Sequence, residues 1–436
     1  MPQTALLLTV GTGNQKDPEA TLYTPLLKSA RDGKFSLIVL LPSQQTHPYA
    51  EELKNRLAGK TVEIHPLPGA WEENAVDSCY RHFDDVIGKL RGRGFSPVHL
   101  TADFTRGTKA MSAALTLAAV RHGLAMTRYI EGERDDRGMV IAGSEKIRGF
   151  APEEALFARR LDEARALFLG GSFAAVETLM GREALPDVSG DIRARADAVR
   201  SLAAFCLAWD RLDYTAAALN KLPVQDSLPP DWRTFFPPKE VQNWLSLLAE
   251  NACRDDKKAM AARCQRLIAD LLGNARRRLA QGQYEDCLIR AYRILELLGQ
   301  SRLFALDYDS QTMPDDERMK QFLATLNEGE ARPQKRRQGY SFGREHVARF
   351  LKSSFPRDGF GEKLLAFAGN QGRCVVQRNH SILAHGFDAV SAGSRENLEV
   401  ALTALEGLFR DLAGNETTKS YLTCSCWLDF SHPQAE

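Results

Sequence analysis

Towards the end of the 436-residue chain, Arg378-Asn379-His380-Ser381-Ile382-Leu383-Ala384-His385-Gly386 holds a guanidinium and an imidazole seven residues apart. On a helix at about 100° per residue, Arg378 and His385 fall within about 20° of one face and roughly 10 Å apart along the axis. One such pair spans too far for a single phosphodiester, whereas two copies facing each other would join an Arg to a His, so the spacing points to a composite site at a dimer interface. The chemistry suits RNA cleavage. His385 can move the proton of a ribose 2′-hydroxyl or of the leaving oxygen, Arg378 can stabilise charge growing on the phosphoryl oxygens, and Asn379 can orient either group. Gly386 predicts that the helix ends there, and a helix C-terminus favours the protonated imidazole. By the same arithmetic His380 lies about 140° from His385 and is a neighbour rather than a partner.

Two further segments suit phosphate. Gly11-Thr12-Gly13-Asn14 follows the apolar run Ala5 to Val10; its glycines permit close backbone approach, and Thr12 and Asn14 can hydrogen-bond a phosphate or ribose. It is neither Gly-x-Gly-x-x-Gly nor a P-loop, so dinucleotide or triphosphate binding is not indicated. The second segment, Asp103-Phe104-Thr105-Arg106-Gly107-Thr108-Lys109, ends another strand and opens a helix of small residues. Free amides at that helix N-terminus favour an anion, with Thr105, Thr108 and Lys109 adding hydroxyls and a charge.

The elements that must position these residues are of two kinds. Up to about residue 150, β-rich runs alternate with helical patterns, the mark of a helix-covered parallel sheet, so this part reads as a Rossmann-like α/β domain whose ligands bind beyond the carboxyl ends of the strands. Six strands are predicted, at Ala5 to Val10, Ser36 to Leu41, Thr61 to Leu67, Pro97 to Thr101, Leu124 to Ile130 and Gly138 to Ala142, with helices around Tyr23 to Arg31, Tyr49 to Leu57, Asn74 to Leu90 and Thr108 to His122. After Pro152 the pattern is all-α. A helical middle region over 151–270 and a C-terminal helical domain over 271–436 are expected. Gly171-Ser172-Phe173, Leu212-Asp213-Tyr214 and Gly282-Gln283-Tyr284 share a turn-and-aromatic pattern. Their spacing, about forty and then about seventy residues, favours ordinary helical hairpins over a solenoid. Asp307 to Tyr340 reads as a mobile polar loop. Its basic end, with Arg332, Lys335, Arg336 and Arg337 followed by Tyr340, Phe342, Arg344 and Arg349, suits either a single RNA strand or solvent. Arg276, Arg277 and Arg278 read as a polar helix face.

Lys plus Arg number 57 and Asp plus Glu 56, a net charge of +1, so no global field attracts a polyanion and any nucleic-acid contact must be local. Hydrophobic residues at 44% and charged residues at 26% exclude a largely disordered chain. No apolar run approaches the roughly 20 residues of a membrane span, and the N-terminus does not read as a signal peptide, so a cytoplasmic protein is expected. The eight cysteines are scattered, and Cys424-Ser425-Cys426 lacks the spacer and partners of a zinc site, so reduced structural thiols and no bound metal are expected.

Gly11-Thr12-Gly13 after strand one, with Asp103-x-Thr105-x-Gly107-Thr108-Lys109 after strand four, resembles a CARF domain, the Rossmann-like sensor of CRISPR systems. The resemblance implies a cyclic oligoadenylate bound across the two-fold axis of a homodimer, with Gly11, Thr12, Gly13, Asn14, Asp103, Thr105, Arg106, Gly107, Thr108 and Lys109 as its contacts. Some CARF domains cleave their ring; in that case Thr12 and Lys109 would orient and stabilise in-line attack by a ribose 2′-hydroxyl. Arg378-Asn379-x(5)-His385-Gly386 resembles the R-x(4-6)-H signature of HEPN ribonucleases, and Tyr284-x-x-Cys287-x-x-Arg290-Ala291-Tyr292 resembles the first long helix of that fold. Together they resemble the CARF and HEPN ancillary ribonucleases of type III CRISPR systems. That implies an endoribonuclease activated by cyclic oligoadenylate, without cofactor or metal, acting on single-stranded RNA and leaving 2′,3′-cyclic phosphate. The alternative is a non-catalytic sensor whose helical region dimerises or binds a partner.

Overall fold

In the computed structural model, residues 3–13, 16–133, 144, 146–185, 188–327, 331–337, 339–370, 372–384 and 386–430 are described, with the backbone alone for 372–375. The chain forms two compact units, residues 1–165 with 178–198, and residues 166–177 with 199–436.

The first unit is built on a six-stranded sheet. Its elements are β1 (Ala5–Val10), α1 (Thr24–Arg31), β2 (Leu37–Pro42), α2 (His47–Arg56), β3 (Val62–Ile64), α3 (Val76–Gly92), β4 (Leu100–Asp103), α4 (Lys109–His122), β5 (Met126–Glu131) and β6 (Lys146–Phe150), in the spatial order β3-β2-β1-β4-β5-β6. The period-2 geometry of a strand divides β1 and β2 between two cores. Leu6, Leu8, Val10, Ile38 and Leu40 pack with Leu22, Leu26, Ala50 and Leu53 on the α1 and α2 side. Ala5, Leu7, Leu37, Val39 and Leu41 pack with Phe83, Ile87, Met111 and Leu115 on the α3 and α4 side. Both faces are covered, which is why these strands read as continuous apolar runs.

Three expectations need correction. The sheet is mixed, because β6 pairs with β5 antiparallel while β1 to β5 are parallel; the strand expected at Gly138 to Ala142 lies outside the described residues. The fourth strand begins at Leu100 rather than Pro97, because Pro97–His99 form a 3-10 turn that the His99 amide closes on the Ser96 carbonyl at 2.9 Å. Asp103 is therefore the last strand residue rather than part of the turn.

Helices α5 (Pro152–Leu169), α6 (Phe173–Leu179), α7 (Gly190–Asp210), α8 (Tyr214–Leu219) and α9 (Lys239–Ala249) follow, and the boundaries between the units fall within α5, α6 and α7. The second unit continues with α10 (Lys257–Ala280), α11 (Tyr284–Ala305), α12 (Glu317–Ala324), the hairpin β7 (Gln334–Arg336) and β8 (Gly339–Ser341), α13 (Arg344–Ser354), α14 (Phe360–Asn370), α15 (Gly372–His380), α16 (Arg395–Ala413) and α17 (Asn415–Ser425). The turn-and-aromatic segments share one geometry. Gly171, Leu212 and Gly282 are left-handed, with φ of 73°, 63° and 73°. The next amide in each, on Ser172, Asp213 and Gln283, donates back to Leu167, Ala208 and Arg278 at 2.9, 2.9 and 2.8 Å. This Schellman closure stops one helix so that the aromatic, Phe173, Tyr214 or Tyr284, can begin the next. Asp307 makes a fourth such turn, with φ of 65° and the Tyr308 amide on Leu303 at 2.9 Å.

Arg276, Arg277 and Arg278 do not form a solvated face. Arg277 is buried, its Nε donating to Asp210 at 3.0 Å; Arg278 also bonds Asp210, and Arg276 bonds Glu406. Nearby, Asp270 is fully buried and accepts from the Trp209 indole and the Tyr214 hydroxyl, each at 2.8 Å. Burial pushes its carboxyl above the ordinary carboxylate range. The described residues between Asp307 and Tyr340 are built rather than loose. Asp316 caps α12 by accepting from the Met319 amide at 2.8 Å, Met319 and Phe322 are buried, and Tyr340 exchanges two 2.9 Å backbone bonds with Met313. Apolar residues at α12 spacing outweigh the polar composition from which a loop is expected.

Candidate functional site

In the first unit the two phosphate-competent turns touch. A Cβ on Gly11 would lie 2.9 Å from the Gly107 amide nitrogen, and one on Gly107, where φ is 151°, would meet Thr9 and Met111 at 3.1 to 3.3 Å. No other residue type permits this approach of the two backbones. Beside this junction Thr108 caps α4: its Oγ1 accepts from the Met111 amide at 3.1 Å and donates to the Glu73 carbonyl. Lys109, first residue of α4, is exposed, so a helix N-terminus and an ammonium stand at one end of the sheet. Thr12 and Gly13 are half-exposed there, the Thr12 hydroxyl donating to the Gly13 carbonyl at 3.3 Å; Asn14 lies outside the described residues.

Asp103 and Thr105 need a different reading from that of ligand contacts. Asp103 is completely buried and accepts from the Ser29 hydroxyl, from the Thr105 amide at 2.8 Å and from the Thr105 hydroxyl, with Arg128 Nε at 3.4 Å. The Thr105 hydroxyl also accepts from the Ile130 amide at 2.9 Å. Both residues shape the turn from beneath. Arg106, between them and Gly107, is half-buried. The cation that balances Asp103, Arg128, sits in β5, where a sequence shows only one polar residue in a strand; its Nη2 donates to the Ser29 carbonyl at 2.6 Å.

In the second unit Arg378 lies in the last turn of α15, its guanidinium carbon 4.4 Å from the ring centroid of Tyr292 on α11, and its Nη1 donates to Asn379 Oδ1 at 3.2 Å. Stacking on an aromatic face orients a guanidinium while leaving its edge for a phosphate. The helix does not run on to Gly386. It ends at His380, and Ile382–Ala384 form a turn. Glu285, in the first turn of α11, causes the break: its carboxylate accepts from the buried Ser381 hydroxyl at 2.7 Å and from the Val390 amide at 2.9 Å, drawing both ends of the segment onto α11. Backbone bonds from Ile382 to Asp388 at 3.1 Å and from Asp388 to His380 at 2.9 Å close the loop.

The face-sharing argument for Arg378 and His385 therefore falls. His385 itself lies outside the described residues. Gly386 is required for another reason than a helix end, since a Cβ there would run into the His380 carbonyl. His380 is exposed, 3.7 Å from the exposed Asp388. Sequence reasoning missed Glu285, Ser381 and Tyr292 as site residues. Tyr292 stood within the recognised helix pattern, but nothing in the spacing paired it with Arg378. Val376, Ile382 and Leu383 are more than half exposed and Phe387 is 95% exposed, which places four large apolar side chains in solvent within twelve residues of chain around Arg378.

At the basic hairpin, Arg336 and Arg337 line an open depression of about 610 Å³ with Gln311, Thr312 and Ser341. Phe342 is not available for base stacking, being buried against Phe322 and Phe350. Among the described residues no cluster of three His, Cys, Asp or Glu side chains could hold a metal ion, and no helix is long and apolar enough to cross a membrane.

The fold and these sites define a chain in which an α/β sheet unit with two meeting phosphate-competent turns is followed by a helical region that carries Arg378. Residues 256–407 match the family model described as the Csm6 HEPN domain. The chain as a whole has the fold of the Enterococcus italicus Csm6 solved bound to cyclic hexa-2′-fluoro-hexa-dAMP, with a TM-score of 0.62 at 12% identity over 98% of this chain and 100% of that one. No curated protein matches the sequence.

Proposed function

We propose that the chain is a cyclic-oligoadenylate-activated, metal-independent endoribonuclease of type III CRISPR defence that works as a homodimer on single-stranded RNA. The observation that carries this reading is Arg378, held over Tyr292 beside a loop that Glu285 closes, within the region matching a Csm6 HEPN domain. In the proposed reaction the ribose 2′-oxygen attacks phosphorus and the bond to the 5′-oxygen breaks, leaving a 2′,3′-cyclic phosphate and a 5′-hydroxyl. His385 moves the proton from the 2′-hydroxyl or to the leaving oxygen, Arg378 stabilises the phosphoryl oxygens, and Asn379 orients Arg378. The exposed Val376, Ile382, Leu383 and Phe387 support pairing with a second copy at this surface.

The activator is assigned to the first unit, with ring phosphates near the Gly11–Gly107 junction, the α4 N-terminus and Lys109. Binding there favours the cleavage-competent dimer in proportion to its differential affinity for that state. Slow cleavage of the ring, aided by Thr12 and Lys109, is the secondary activity of this reading. The test is end-group analysis of RNA cut in EDTA. Wild type is expected to leave 2′,3′-cyclic phosphate and 5′-hydroxyl ends, and His385→Ala to leave the RNA intact while staying dimeric. If His385→Ala cuts as wild type does, or the products carry free 3′-hydroxyls and 5′-phosphates, the reading is wrong; ring binding with no cleavage by wild type would favour the non-catalytic sensor.

A further inference from the structure

Trp71 is 78% exposed, whereas the other four tryptophans, Trp209, Trp232, Trp244 and Trp427, are at most 7% exposed. Its backbone is left-handed, with φ of 68°, a conformation that is strained for a bulky L-residue and persists only where the surroundings impose it. The surroundings do so. The Trp71 carbonyl accepts from the Asn74 amide at 3.3 Å, and Glu72 turns its carboxylate back onto the Gly69 amide at 3.1 Å. An exposed tryptophan held in a strained backbone is a residue kept for what it presents to solvent.

Its position says what that is. The segment is pinned at both ends of its path. The Leu67 amide donates to the Pro42 carbonyl at the end of β2 at 2.9 Å, and the Glu73 carbonyl accepts from Thr108 Oγ1, the cap of α4. In the sheet order β2-β1-β4 a chain running from the end of β2 to the helix after β4 passes the end of β1, the strand that leads into Gly11, and Trp71 lies on that stretch of chain. The Glu72 carboxylate directly after it disfavours a phosphate at this spot, while an adenine ring with its exocyclic amine suits both an indole face and a neighbouring carboxylate.

We propose that Trp71 is a stacking platform for one adenine of the cyclic oligoadenylate, a base-reading position beside the phosphate-facing turns. The proposal rests on the sensor reading above, and its test separates the two. Because Trp71 is the one strongly exposed tryptophan, the intrinsic fluorescence of the full chain reports on it. Cyclic tri-, tetra- and hexa-adenylate are titrated separately into wild type, Trp71→Phe and Trp71→Ala, with calorimetric affinities and sedimentation measured alongside. The expected result is that one ring quenches wild type and shields it from acrylamide, that Trp71→Ala binds that ring about 5- to 150-fold more weakly, and that Trp71→Phe recovers most of the loss. Equal calorimetric affinity for wild type and Trp71→Ala overturns the stacking platform and leaves the sensor reading standing. Weaker binding that accompanies dissociation of Trp71→Ala into monomers also overturns it, assigning Trp71 to a subunit contact. No binding of any ring to wild type overturns both.

Discussion

Glu285 does more for the Arg378 site than any residue within the Arg-to-His motif, because a single carboxylate holds Ser381 and Val390 on either side of the loop. Hydrogen bonds to a charged group are worth about 1.5–3 kcal/mol each. Glu285→Ala is therefore expected to lower kcat for RNA at least about tenfold through a loosened loop, with ring affinity within about twofold of wild type; single-turnover cleavage and calorimetry check the two halves. Unchanged kcat would show that the tie does not shape the site. Of this neighbourhood, the sequence marks Arg378 as a candidate and Gly386 as a helix end, and the helix in fact stops at His380. Helical spacing put Arg378 and His385 on one face, and only the long-range bond from Glu285, 96 residues before Ser381, ends that helix early. Asp103 shows the reverse: the resemblance makes it a ligand contact, whereas its burial and its pairing with Arg128 fit a support for the turn.

At the scale of elements, the close approach of the β1–α1 and β4–α4 turns depends on glycine at both positions. Gly11→Ala puts a methyl 2.9 Å from backbone that has little room to yield. The expected outcome is a loss of about 1–3 kcal/mol in unfolding free energy together with at least tenfold weaker ring binding, read by urea denaturation and calorimetry. In the helical unit, Asp210→Ala leaves Arg277 and Arg278 without their shared carboxylate. Breaking one partner of a buried ion pair costs about 3–5 kcal/mol, so a clear fall in the urea midpoint is expected; a change below about 0.5 kcal/mol would show that the network is not stabilising. Repeated turn-and-aromatic segments announced the helical hairpins, because Schellman turns leave a local signature. The triple arginine announced only polarity, since its partners Asp210 and Glu406 lie 67 and 130 residues away from Arg277 and Arg276. Likewise polar composition hid α12 and the β7–β8 hairpin, whose order comes from burying Met319, Phe322 and Phe342.

At the scale of the whole molecule, alternating strands and helices followed by uninterrupted helix were enough to read the α/β plus all-α architecture, because both patterns are periodic and local. The antiparallel β6 was not, since pairing direction is set by chain connection rather than by composition. Under the proposed function, the exposed apolar group around Phe387 is the surface on which two copies pair. Phe387→Asp is expected to shift sedimentation from dimer towards monomer and to lower ring-activated cleavage at least tenfold; a fully dimeric, fully active variant would remove this surface from the assembly. The most direct measurement is cleavage of a fluorogenic single-stranded RNA in EDTA by wild type and His385→Ala, with cyclic tri-, tetra- and hexa-adenylate added separately. Cleavage by wild type that requires one ring and vanishes in His385→Ala is the expected result. Cleavage that ignores every ring, or silence despite tight binding of one, contradicts a ring-activated ribonuclease.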